Sequence, residues 1–263
     1  MKTLLDLATQ IVANLSNFSG LFRSLVARAW GIVLILPLIL FLSLLVIPAT
    51  SAYAQGTVLK PKEVVEYALT LEKLEADFYR RAITATQSGG LSSLPKVAKK
   101  ALISYGKDEA QHVTDLSSVL KSLGGNPDGI TIPANPNYDA ILQRNPFAKP
   151  QDFLLALQFV EDTGVAAYKG QVQNLLAAGP SGKTVLAAAL EIHTVEARHA
   201  AGIRYLRETF YGVNVRPWIR NVSEVIYNED RIGSPIPFAS EAFDGFATKD
   251  EVLALVGPIL TEK

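Results

Sequence analysis

The sequence predicts an all-α protein built on a four-helix bundle, on three observations. Beyond residue 59, four segments place apolar residues at helical spacing, and each is bounded by Pro, Gly or a capping residue. The links within the first and second pairs of segments are short, whereas the link between the pairs, NPDGITIPANPNYDAILQRNPFAKP, is long. Short links make antiparallel hairpins, and a long crossover can return the chain along the whole bundle, so that helices two and three run parallel. Third, the two hairpins repeat one pattern of polar residues: Glu-x6-Tyr, then Glu-x-x-His.

The elements follow in order. Pro61 opens the first helix, KPKEVVEYALTLEKLEADFYRRAITATQ, and Gly89-Gly90 closes it. Pro95 stands at the first turn of the second, which runs to Lys121 before Gly124-Gly125. Asp152 can cap the third, which is expected to continue to Ala178; the fourth begins near Ser181 and runs to about Phe210. The crossover is rich in Pro and Asn and reads as too irregular for a core element. After Phe210 comes Pro-, Gly- and aromatic-bearing coil, with a last helical piece around Asp250 to Leu255. The expected organisation is therefore residues 1–54 as a signal peptide, 55–210 as the bundle and 211–263 as a tail packed on it.

The export reading comes from the N-terminus. No charged residue occurs between Arg28 and Lys60, and the centre of that gap is the apolar run 31–47. Arg23 and Arg28 precede it, and Ala52-Tyr53-Ala54 fits the small-x-small pattern of a signal peptidase site, with cleavage after Ala54. The run is near the lower limit for spanning a bilayer and contains Pro37; an uncleaved membrane anchor is the alternative. In both cases the folded part is exported, to a periplasm, a lumen or the outside. The 263-residue chain is 49 % apolar, has formal net charge +0 and no cysteine. That composition excludes disulfides, thiolate metal sites and a thiol nucleophile, and gives no global field to attract nucleic acid.

The chemistry is concentrated in the repeat. Helix two carries Glu109 and His112 and helix four carries Glu196 and His199, each pair three residues apart on one helix face. Carboxylate and imidazole together suit iron, manganese or zinc, and two such pairs facing each other would hold two ions. Helices one and three supply Glu72 with Tyr79, and Glu161 with Tyr168, each Glu two turns from its Tyr. The repeat singles out Glu72 over Glu75, which lies one turn away as a ligand, a proton relay or a surface residue. The competing view is that these are solvated charges on amphipathic helices. Against it, burying four carboxylates and two imidazoles without cations would be very costly, so burial calls for metal, and exposure of all six would remove the site.

Other residues are weaker candidates. Tyr79 and Tyr168 are either core aromatics or hydrogen-bond donors to ligand carboxylates, and Asp108 can orient a histidine. His193 has no counterpart in the first hairpin and reads as a partner of a ligand or a surface residue. GPSGKT at 179–184 lacks the first Gly of a phosphate loop, where Ala177 stands, and no strand precedes it; it reads as an interhelical turn.

LTLEKLEADFY, DEAQH, FVEDTGVAAYKG and VEARHAAGIR together resemble the ferritin-like superfamily, and within it the exported ferritin-like domains related to desiccation-associated proteins. The pattern is similar to bacterioferritin and rubrerythrin centres. That resemblance implies Glu72, Glu109, His112, Glu161, Glu196 and His199 as ligands of two iron or manganese ions, with Glu109 and Glu196 bridging. It implies dioxygen or hydrogen peroxide as the reacting partner, in a ferroxidase or peroxide-scavenging activity. Two departures stand out: cage-forming ferritins are usually cytosolic and lack such a crossover and tail, and rubrerythrins add a cysteine-ligated iron domain. The alternatives are a non-catalytic stress or desiccation bundle in the cell envelope, and an oxygenase whose mark would be a deep apolar channel reaching Gly164. Membrane contact is expected only through residues 31–47 if uncleaved, and a homodimer is left open.

Overall fold

In a computed structural model of the chain, the described residues are 59–227 and 244–263. The expected signal segment 1–54, with its apolar run 31–47, lies outside them. Among the described residues no helix is long and apolar enough to cross a membrane.

Helix α1 spans Pro61–Ser88, with Pro at its first turn and the Lys60 amide donating to Glu63 Oε2 at 2.8 Å. Helix α2 spans Lys96–Ser122 and is followed by Gly124 in the left-handed region, φ 71°. The crossover is less irregular than expected. It holds three short 3₁₀ turns, at Pro127–Gly129, Tyr138–Ile141 and Pro146–Ala148, and it enters the core. Tyr138 is buried, donates its hydroxyl to Leu74 O and Asp77 Oδ2, and packs edge-on against Phe78.

Three local expectations are corrected beyond the crossover. Asp152 does not cap the third helix: α3 spans Pro150–Gly170, because Pro150 already supplies its first turn, and Asp152 instead accepts from Arg144. The third helix does not run unbroken to Ala178. The Gln171 amide closes a tight i→i−3 bond on Tyr168 O at 3.1 Å, and a separate short helix α4 follows at Val172–Ala177. GPSGKT is not an interhelical turn but the opening of α5, Gly179–Tyr211, with Pro180 in its first turn and Gly212 (φ 62°) closing its far end. Helix α6, Lys249–Val256, is capped by Thr248 and Glu251.

α1 packs chiefly on α2 and α3 on α5, and contacts of α2 with α5 and of α1 with α3 close the bundle. Pairings along each interface run in opposite directions. Lys62 reaches Gly124 O near one end of the first hairpin, and Gly106 lies against Tyr79 farther along it. α1 meets α3 antiparallel through Tyr79 with Glu161 and Tyr168 with Glu72. Since α1 opposes both α2 and α3, those two run parallel, as the long crossover requires.

Two apolar cores sit one above the other in the bundle. One gathers Phe78, Leu102, Phe153 and Ile203; the other gathers Val65, Leu69, Leu120 and Val185. Between them along all four helices lies a polar layer. A third cluster joins Tyr67, Leu71 and Ala166 to Ile219, Val225 and Val252 of the C-terminal segment. That segment is pinned to α3 by the Ala247 amide on Ala166 O, and to the crossover by the Asn137 amide on Ile259 O, each at 2.9 Å.

Candidate metal centre

The polar layer is made of the six residues of the repeat, and their burial is decisive against the solvated-charge view. Glu72, Glu109 and Glu196 are 0 % exposed, Glu161 1 %, His199 2 % and His112 6 %. Helical spacing puts them there: Glu109 and His112, and Glu196 and His199, are one turn apart on the inner faces of α2 and α5.

They form two groups that share members. Glu72, Glu109, His112 and Glu196 bring one ligand atom each within 4.8 Å of one another, and so do Glu109, Glu161, Glu196 and His199. In the first group His112 Nδ1 lies 3.2 Å from Glu72 Oε2, 3.2 Å from Glu109 Oε2 and 3.1 Å from Glu196 Oε1. In the second, His199 Nδ1 lies 2.8 Å from Glu109 Oε1 and 3.7 Å from Glu161 Oε2. Yet Glu109 Oε1, Glu161 Oε2, both Glu196 oxygens and His199 Nδ1 are buried without a hydrogen bond of acceptable geometry. Buried polar atoms are nearly always satisfied. Acceptor atoms that crowd together and point at common centres, not at donors, fit cations; both the donor types and their number suit divalent transition metals.

The electrostatics agree. Burial first, then repulsion from the other carboxylates, raises Glu161 and Glu75 well above the ordinary carboxylate range. Burial likewise leads in pushing Glu109 and Glu196 up to about 8. Burial would lower His112, but Glu109, Glu196 and Glu72 around it push it up to about 12. Without cations the layer holds protons in their place. His199 behaves oppositely: burial holds it below its usual value, against the pull of Glu196 and Asp108. A neutral imidazole is the form that binds metal.

The residues around the layer fix its geometry. Tyr79 of α1 donates to Glu161 Oε1 of α3, and Tyr168 of α3 donates to Glu72 Oε1 of α1. Both tyrosines thus bond carboxylates of the candidate groups, and the bonds are crossed between hairpins, each Tyr serving the Glu of the other copy. Asp108 Oδ2 lies 3.2 Å from His199 Nε2, which leaves Nδ1 turned inward. A Glu-to-His repeat with these crossed bonds is a pseudo-twofold site.

The ferritin-like domain family matches residues 61–209, more than half of the chain. The chain belongs to the ferritin-like family. Neither the curated proteins nor the solved structures give a match. The matched span covers the four bundle helices of this ferritin-like chain almost end to end, and every residue of both candidate groups.

Of the remaining candidates, Glu75 is 7 % exposed and close enough to feel all four site carboxylates, but it stands outside both groups. His193 is half-buried and also outside them; burial lowers it, and its charged neighbours are Lys169 and Asp244. Sequence reasoning missed Tyr105, whose ring stacks on His199 at 4.2 Å between centroids. Its signal was present, one turn before Glu109, but Ile192 at the matching place in the second hairpin hid it. Also missed was Arg204, buried on α5, which donates to both oxygens of Asp162 at 3.1 and 2.6 Å and to Glu224 Oε2 at 2.8 Å. It ties the backbone next to Glu161 to the C-terminal segment.

Proposed function

We propose that this ferritin-like protein holds two iron or manganese ions and reacts with dioxygen or hydrogen peroxide, as a ferroxidase or a peroxide scavenger. The observation that carries the reading is the pair of buried groups sharing Glu109 and Glu196, with acceptor atoms unsatisfied by any donor. Glu72 and His112 would hold one ion and Glu161 and His199 the other, with Glu109 and Glu196 common to both. Two adjacent ions supply two electrons and paired Lewis-acid positions for an oxygen-oxygen bond.

The chain's own residues do the rest. Tyr168 and Tyr79 donate to Glu72 and Glu161 and hold those carboxylates in orientation, while Asp108 keeps the His199 proton on Nε2. The flanking apolar cores close the layer above and below. A groove of about 530 Å³ between α2 and α5, whose lining sets Asp108, Asp115, Glu191 and His112 among Leu116, Ile192 and Val195, supports access for ions and small oxidants. Export, and a desiccation- or stress-related setting, belong to the same proposal and rest on the sequence features given above.

Anaerobic Fe(II) loading of the purified protein, followed by dioxygen or peroxide, tests the reading. Rapid Fe(II) oxidation is expected in the natural protein, with loss of ten-fold or more, on the order of what loss of an interaction worth 1.4 kcal/mol produces, in Glu109→Ala. Unchanged turnover in that variant would exclude the assignment.

A further inference from the structure

Gly202 stands in the interior of α5, where alanine would favour the helix more. The space it leaves is filled from α2: a Cβ at position 202 would stand 2.1 Å from the Tyr105 hydroxyl oxygen and 3.1 Å from Tyr105 Cζ. Tyr105 therefore lies across α5 only because position 202 has no side chain. Seated there, its ring stacks on the His199 imidazole, with 4.2 Å between centroids and 25° between planes, and meets Tyr79 edge-on at 6.5 Å. Tyr79 in turn donates to Glu161. One side chain thus braces both His199 and the tyrosine that orients Glu161, the two residues that belong to the second candidate group alone.

The first group has no such cover. Four residues and one residue before Glu196, the places matching Tyr105 and Asp108, stand Ile192 and Val195. Both line the groove between α2 and α5 together with His112, whereas neither His199 nor Tyr105 is among its lining residues. Exposure agrees, at 6 % for His112 and 2 % for His199. His199 is engaged at its edge, where Asp108 Oδ2 lies 3.2 Å from Nε2, and on a face by Tyr105. With edge and face both held, the imidazole cannot turn unless Tyr105 moves.

We propose that Tyr105 is a positioning residue of the second group: seated on Gly202, its ring fixes the His199 imidazole and shuts it off from the groove, so that ions enter and leave by the His112 side. The hold on His199 rests on packing alone; the consequence for ions rests on the two-ion reading above. The ring does this and the hydroxyl does not, so Tyr105→Phe should behave as the natural chain. Gly202→Ala should act as Tyr105→Ala does, because the added methyl drives the ring off its seat. Phe in place of Tyr105 removes the 2.1 Å contact and should rescue Gly202→Ala.

Two measurements on the full chain test this. In the protein loaded with Mn(II), release to excess EDTA should show a fast and a slow phase, the slow one absent in Glu161→Ala. Tyr105→Ala and Gly202→Ala should speed the slow phase by about 10–100-fold and leave the fast phase unchanged. In the metal-free protein, deuterium exchange at the carbon between the His199 ring nitrogens, read by mass spectrometry, should rise in the same two variants by about two- to ten-fold, the range a lost aromatic stack accounts for. Should Tyr105→Ala unfold, Gly202→Ala with its Phe rescue carries both measurements. A single release phase in the natural chain, a slow phase unmoved by these variants, or Tyr105→Phe behaving as Tyr105→Ala overturns the inference. Exchange that rises as expected in a chain that retains no metal upholds the hold on His199 while removing the two-ion reading; two retained ions with exchange and release both unmoved overturn the role of Tyr105 alone.

Discussion

At the scale of single residues, the two carboxylates that belong to one group each, Glu72 and Glu161, have one oxygen committed elsewhere. Tyr168 takes one oxygen of Glu72 and Tyr79 one oxygen of Glu161, leaving the other free to face the centre. Because the bonds cross between hairpins, each tyrosine controls a different group. Tyr168→Phe should weaken metal binding at the group of Glu72 and His112, and Tyr79→Phe at the group of Glu161 and His199, each by about 10–100-fold with the other little changed. Competition with a chelator of known affinity, read for each binding step, checks this; equal weakening of both steps by either variant would contradict it. The same crossed bonds mark what the sequence could and could not display. Glu72 and Tyr79 share a helix face, so the sequence shows them as neighbours; that Tyr79 serves Glu161 instead depends on α1 and α3 running antiparallel, a tertiary fact. Tyr105 lacked a repeat partner, and pattern alone had no means of raising it above other aromatics.

Titration belongs to this scale too. Glu109 and Glu196, at about 8, and His112, at about 12, all bind protons more tightly folded than unfolded. A group with a raised folded pKa holds more protons in the folded state between its two values, so metal-free stability falls as pH rises across that interval. Metal must displace those protons, so its affinity moves the other way. The rise in melting temperature on adding metal should therefore grow from about pH 5 to about pH 8, and a calorimetric scan with and without metal measures it. A shift that shrinks over that range would mean that the raised groups are not the ones that bind.

At the scale of elements, helix periods and Gly and Pro punctuation located all four bundle helices, because one amphipathic face against one core leaves a regular trace. The failures are at places where another element intervenes. The third helix breaks at Gln171, just after Gly170, where the tail crosses so closely that a Cβ at 170 would stand 1.9 Å from Ala247 O. Neither the break nor the contact has a local signature, since the partner lies far along the chain. Gly170→Ala, forced against backbone and not a yielding side chain, should cost about 1–3 kcal/mol and loosen the tail. Chemical denaturation and limited proteolysis after residue 211 read both effects; a stability gain, as expected of Gly→Ala in an unobstructed helix, would show that the tail does not sit there. The crossover likewise owes its order to a distant element: Tyr138 anchors it by bonding Leu74 O and Asp77, residues of a helix some 60 positions away.

At the scale of the whole molecule, the two hairpins repeat one pattern and differ at a few positions around the layer. What the copies share builds the centre: two Glu, two Tyr and two Glu-x-x-His pairs, all closed into one layer between apolar cores. What they do not share opens it in two ways. Asp108 beside His199, where the second hairpin has Val195, lies toward the groove between α2 and α5; Glu75 opposite Gly164 lies toward a cavity of about 250 Å³ lined mostly by apolar residues. The shared part was legible because a repeat announces itself in sequence. The unshared part became meaningful only when the fold brought positions 75 and 164 face to face.

The central claim is a two-ion site with shared carboxylates, and metal stoichiometry tests it most directly. Anaerobic titration of the metal-free protein with Fe(II) or Mn(II), followed by elemental analysis after desalting, should give two ions per chain by the two groups of ligands. Glu161→Ala should cost the ion of its own group, whereas Glu109→Ala should weaken both. Failure of the natural protein to retain any ion, or retention of both ions when Glu109 and Glu196 are replaced together, would contradict the account.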